Sequence, residues 1–317
     1  MENTSTLAER LPWEQPWWRP APGQWATFGY LISIHILSLI GLILYPIPSG
    51  SIFVVALSLL LLGGLGTSVC YHRALAHRTA KLNAVVEHIL IFFTVFNGSG
   101  SPIQWTANHR HHHAQADTID DVSSPRFGGF WWAHLRWLYQ WPQSDPRRWS
   151  PDLMGNRYLV WSTLQPMLVG GSLFWGLLVF GWEGFFWIGP IRLMYALHMQ
   201  CFVNSLLHLS PDAPEHTDSS RNIWWLGPLQ LTAWGENWHR NHHQNPNSAR
   251  FGWTTWQVDM GWYFLMLLEK FRLVKDVKRP RTLRPREKGA HSNARLERRR
   301  PRSSRHSTEG RVQNPTA

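Results

Sequence analysis

The chain has 317 residues, room for one large domain or two small ones. It carries 21 Trp and 15 Phe, and its two cysteines, Cys70 and Cys201, each sit in an apolar run, which excludes a disulfide framework and a cysteine metal site. The net charge of +11 is local: from Lys270 onward there are 16 Lys and Arg against 4 Asp and Glu, while the remainder holds 15 against 16, so the basic balance says little about the body.

The N-terminal stretch MENTSTLAERLPWEQPWWRP is polar and rich in Pro and Trp, and it reads as a cytoplasmic segment, 1–27, rather than a signal peptide. Two uncharged apolar runs follow, about 28–46 and 51–70, separated by a four-residue link. Each is near the ~20 residues a helix needs to cross a bilayer. A shorter run, 83–96, contains Glu87 and His88 and is too short to span; it is expected to lie at the interface or pack under the cytoplasmic portion, ended by NGSGSP at 97–102. A second long pair occupies about 158–180 and 185–207. The links inside the pairs lack Lys and Arg, whereas the long segments 72–156 and 210–317 contain many. The positive-inside rule therefore places both long segments and both termini in the cytoplasm. The expected fold is all-α: four transmembrane helices in two hairpins under a cytoplasmic helical cap, with a membrane domain over 28–279.

Several polar residues fall inside these runs. His35 and His198 read as helix–helix hydrogen-bonding groups, and Arg192, costly in lipid, should face a partner or the outer interface. Gln200, Asn204 and His208, spaced i, i+4, i+8, are expected to share one face of the fourth span.

Histidines crowd into three cytoplasmic groups: His72 and His77 in HRALAH, His109, His112 and His113 in HRHHH, and His239, His242 and His243 in HRNHH. With His208 they number nine. On a helix H-x-x-H-H puts its rings at i, i+3 and i+4, on one face. Nine imidazoles exceed the needs of one ion, and two ions with four or five ligands each would use them all; imidazole suits Fe, Zn, Cu and Ni, so ligand type alone does not choose the metal. Asp117, Asp120, Asp121 and Glu236 are near enough in sequence to accept from ring N–H groups. His111 reads as an outer or exposed residue. A non-catalytic metal-binding membrane protein is one reading of such a set, although a transporter should line its spans at mid-membrane rather than past their ends.

CYHRALAHR, WTANHRHHH, VNSLLHL and GENWHRNHH, in this order and with helix pairs between them, resemble the histidine boxes and fourth span of the membrane fatty acyl desaturases, and SARFGWTTWQVDMGWYF is similar to bacterial members of the delta-9 type. The resemblance covers about 60–268. It implies a multi-pass protein of the bacterial inner membrane, with two ferrous ions held by His72, His77, His109, His112, His113, His208, His239, His242 and His243, and by Asn204 through a water. It also implies O2-dependent insertion of a cis double bond into a fatty acyl chain, with no catalytic side chain beyond the ligands. The sister reaction, hydroxylation by a related membrane oxygenase, is the alternative. Where animal acyl-CoA enzymes hold Arg-Asp before the second box, this chain has Ala107 and Asn108, so a lipid-linked chain or another thioester is open as substrate.

An alkyl chain offers no hydrogen bond to read, so a narrow apolar tunnel is expected beside the metals, with Trp105 and Gln200 as wall residues. No haem, dinucleotide or iron–sulfur motif is present, so electrons should come from a separate ferredoxin or cytochrome-type carrier. The tail, 280–317, is Arg/Pro/Ser-rich and is expected to be disordered and drawn to anionic lipid, with no nucleic-acid partner.

Overall fold

A computed structural model describes residues 11–210, 217–229 and 234–280. The expectations for the basic tail and for the first ten residues lie outside them.

The described chain is mostly helical. Helix α1 spans Trp25–Leu44 and α2 Gly50–Leu65, which continues without a break as a π-helix, Gly66–Ala76. A two-residue strand, β1 (Lys81–Leu82), leads to α3 (Ala84–Phe96) and α4 (Pro102–Gln115). Three short helices follow, α5 (Pro125–Trp131), α6 (Trp137–Gln140) and α7 (Pro146–Trp149). Then come α8 (Asn156–Phe186), α9 (Arg192–Ser205), α10 (Leu226–Leu229), α11 (His239–Gln244) and α12 (Met260–Lys270). Strand β2 (Val274–Lys275) pairs antiparallel with β1, Lys81 opposite Lys275.

Three helical stretches are long and apolar enough to cross a bilayer: Trp25–Leu44, Gly50–Ala76 and Asn156–Ser205, of 20, 27 and 50 residues. Four separate runs were expected from sequence; the third and fourth are joined in the last stretch. A straight helix of that length would be about 75 Å long, far more than a ~30 Å hydrocarbon layer. It is not straight. Gly181 has φ 67° and ψ −157°, a conformation open to glycine, and a Cβ on Gly176 would strike the carbonyl of Gly184. Backbones eight residues apart therefore touch, so the stretch doubles back on itself.

The short apolar run became α3, as its length required. Asn83 caps it, accepting from the Val86 amide at 2.9 Å, and it packs against α2 and α8. Its buried Glu87 accepts from Arg157 (2.7 Å) and the Tyr158 hydroxyl (2.9 Å) at the start of α8. Arg192 is buried and donates to Asn97 Oδ1 and to Ser172, so its charge is met by partners. The main core lies between α2, its π-helical extension, α3 and α12, around Val69, Tyr71, Ile91, Val95 and Leu265.

Candidate metal centre

The first histidine group was expected just after the second span. Instead His72 lies inside the helix that carries it, and His77 caps that helix. The local geometry explains the spacing. A π-helix bonds residue i to i−5, and the His77 amide donates to the His72 carbonyl at 3.1 Å. Residues five apart then stack over one another, and the two rings are 5.0 Å apart. In an α-helix the same pair would diverge. The second group sits on the last turns of α4 and the third on α11.

The rings converge in two sets. His72, His77, His109, His113 and His242 offer nitrogens within 4.8 Å of one another, and so do His112, His208, His239 and His243. Within the first set the Nε2 atoms of His77 and His109 are 2.8 Å apart and those of His242 and His113 2.9 Å; in the second, His208 and His239 are 2.9 Å apart. All nine histidines singled out from sequence are thus brought together, five and four. His111 is in neither set: it faces Ser144 at 2.9 Å and stacks on Trp149.

Carboxylates hold the outer nitrogens. Nδ1 of His72 donates to Glu236 (2.7 Å), His112 to Asp121 (2.9 Å), His208 to Asp117 (3.0 Å) and His243 to Asp218 (2.8 Å). A carboxylate only accepts, so each of these rings carries its proton outward and turns an Nε2 lone pair inward. Burial opposes ionisation of Asp117 and Asp218, but hydrogen bonds from His208 and His243 outweigh it and hold both carboxyls far below the usual range. Burial, reinforced by neighbouring rings, pushes His77, His109, His113, His239 and His242 well below the ordinary imidazole pKa, so they are neutral at pH 7. Four buried ring nitrogens, His112 Nε2, His239 Nδ1, His242 Nδ1 and His243 Nε2, have no hydrogen-bond partner among the described residues. Ring nitrogens that converge in two clusters, with outer nitrogens fixed by carboxylates, fit a pair of metal ions.

Two expectations about the surroundings need correcting. Asp120 is exposed and makes no hydrogen bond to a ring among the described residues; Asp218, not anticipated, takes that role at His243. Gln200, Asn204 and His208 do not form one helical stripe. Helix α9 ends at Ser205, and the turn after it carries His208 into the second ring set, while Gln200 and Asn204 face a cavity. A helix that stops releases the periodicity on which the stripe was based.

That cavity, about 600 Å³, reaches both ring sets through His72, His109, His112 and His239. Trp105 lines it and stacks on His109, centroids 4.9 Å apart; Gln200 lines it and donates to Ser99 Oγ at 2.7 Å. Asn204 lines it too, with no side-chain hydrogen bond among the described residues. Among the described residues that line it, none is Lys or Arg. Ala107 is fully buried, and Asn108 is tied up with Gln104, Gln143 and Ser144.

Other groups escaped the sequence reading. Arg73 is fully buried and donates to the Ala249 carbonyl (2.9 Å) and to Asp259 (2.9 Å), tying the first box to the segment after the third. Arg110 donates to the carbonyls of Leu75 (2.7 Å) and Ala76 (3.0 Å), satisfying the end of the π-helix from α4. An arginine follows the first histidine of every box, the one signal that could have pointed to them. His35 and His198, read from sequence as helix–helix hydrogen-bonding groups, do bond to each other at 3.0 Å, and His198 also meets His134, which that reading missed, at 2.9 Å.

Comparison with known proteins gives the same direction. A family model described as fatty acid desaturase matches residues 50–270. The chain is 35% identical over 280 residues to delta-9 acyl-lipid desaturase 1 of Arabidopsis thaliana, covering 86% of this chain and 88% of that protein. It is 30% identical over 262 residues to the sn-1 stearoyl-lipid 9-desaturase of a Synechocystis species, covering 81% and 80%. A hex-5-enoyl-[acyl-carrier protein] acetylenase of Moorena producens is 33% identical over 259 residues, covering 74% and 79%. Two converging histidine sets, boxes in the order read from sequence and matches over most of the length together place this chain in the fatty acid desaturase family.

Proposed function

We propose that this enzyme, an oxidoreductase of the desaturase family, inserts a cis double bond into the acyl chain of a membrane glycerolipid, at the delta-9 position, using two iron ions and O2. The observation that carries the reading is the division of nine imidazoles into sets of five and four beside a cavity with no Lys or Arg among its described lining residues. The names of the relatives support the lipid-linked substrate and the position. That lining and the Ala107–Asn108 pair leave little to hold the phosphates of an acyl-CoA.

An iron pair with O2 supplies the oxidant for an unactivated C–H bond, which no side-chain acid or base can break. The chain's own residues set the stage. His72, His77, His109, His113 and His242 would hold one ion, and His112, His208, His239 and His243 the other, with Asn204 reaching the second set through a water. Glu236, Asp121, Asp117 and Asp218 fix the ring orientations. Trp105 and Gln200 wall the acyl chain and exclude water, and each buried CH₂ contributes about 0.8 kcal/mol to holding it. The membrane domain is 28–279, with four crossings made by α1, α2 and the two arms of the folded stretch, and the centre faces the cytoplasm. Electrons arrive from a separate ferredoxin or cytochrome-type carrier.

Expression in a host with saturated lipids and a competent electron donor, followed by mass spectrometry of acyl chains, tests the reading. New double bonds nine carbons from the carboxyl end are expected; hydroxylated chains in their place would overturn it.

A further inference from the structure

Among the described residues that line the cavity beside the rings, Ala26 and Pro166 are the exposed ones. Ala26 is in the first turn of α1, at the end of the bundle that carries the boxes. Pro166 is ten residues into α8, about 15 Å along the helix, which is half the thickness of a ~30 Å hydrocarbon layer. One exposed part of the wall is therefore at the head-group level and the other in the middle of the membrane.

The second exposed part of the wall is shaped by the sequence of α8. Proline has no N–H to bond the Ser162 carbonyl, so the helix is loosened there. Gly170 lies one turn on, on the same face, and a Cβ built on it meets no atom within 4 Å. Val169 lines the cavity beside Pro166. The wall is thus loosened at Pro166, and Gly170, which borders the lining without being part of it, leaves its outer side uncovered. A closed end would limit chain length and could register the methyl terminus. An end open to lipid does neither, because a CH₂ group is as well placed among lipid tails as among apolar side chains.

We propose that the face made by Pro166, Val169 and Gly170 is an outlet through which the methyl end of the acyl chain passes into the bilayer, so that the reacting carbons are counted from the head-group end and long chains are accepted. The proposal rests on the desaturase reading. It assigns the register to the mouth of the cavity, where Gln24, Gln104 and Gln143 line the wall.

The full-length protein, expressed in a host fed saturated fatty acids of increasing length, tests it by the position of the double bond in each product. The wild type should place the bond at one distance from the carboxyl carbon at every length. Gly170→Leu and Gly170→Trp, which have room to fold, should progressively lose products from the longest chains and retain those from shorter ones. Gly171→Trp, also in open space but turned about 100° around the helix, should match the wild type. Bond positions that stay constant from the methyl end overturn the proposal. So does an unchanged length profile, or a uniform loss at every length, in both Gly170 variants. Failure of every protein, wild type included, to form any double bond would instead sink the desaturase reading and this proposal with it.

Discussion

The guanidinium of Arg73 lies 2.9 Å from the carboxylate of Asp259, and both are buried from solvent. The pair joins the π-helix that carries the first histidine box to the start of α12, and Glu236, which also holds His72, sits 3.4 Å from the same guanidinium. Removing one partner would strand a buried charge, at a cost of about 3–5 kcal/mol. Arg73→Ala is therefore expected to lower the unfolding temperature of detergent-purified protein sharply and to release bound metal. A variant as stable as wild type would show that this link does not hold the boxes together.

His112 and His113 are neighbours in sequence but belong to different ring sets. Each alanine substitution should abolish product while leaving membrane insertion intact. Metal analysis is the sharper readout: either variant should lose one ion of the pair before the other. Equal and complete loss from both would indicate a single shared site.

Asp121 accepts from His112, whereas Asp120 beside it is exposed. Asp121→Asn should reduce metal affinity or activity by about 10–100-fold. Asp120→Asn should leave both within error. Similar losses at the two positions would mean that the acidic loop acts through its net charge and not through one oriented ring.

Asp152 bridges Arg110 and Arg78, at 2.6 and 2.9 Å. Partial burial works against its ionisation, but hydrogen bonds from the two arginines outweigh it and pull its carboxyl down to about 2. Its stabilising effect is present above the usual carboxylate range and fades as pH falls from there toward 2. Because the site is largely open to solvent, Asp152→Asn should cost less than about 1 kcal/mol at neutral pH. The gap in unfolding temperature between variant and wild type should close on acidification; a widening gap would contradict the assignment.

Gly176 and Gly184 touch where the third long stretch folds back. Gly176→Ala forces a Cβ against backbone and should destabilise the protein by about 1–3 kcal/mol. Gly171→Ala, in open space, should be neutral or slightly stabilising. Thermal unfolding of the two variants side by side checks whether the stretch is a hairpin.

Much of this was legible in the residues. Uncharged runs longer than a buried helix needs mark the long apolar helices, and the H-x-x-H-H spacings group the rings of the second and third boxes, because both are local periodicities that a helix converts directly into faces; His72, His77 and His208 follow no such period. The tertiary structure decided how the faces meet. Adjacent positions on a helix point about 100° apart, which lets His112 and His113 serve different clusters from one broad face, but only the packing of α4 against the π-helix and α11 sets which ring joins which cluster. The π-helical form of 66–76, the end of α9 before His208 and the arrival of Asp218 at His243 all depend on contacts between segments far apart in the chain. No spacing within a single segment encodes them.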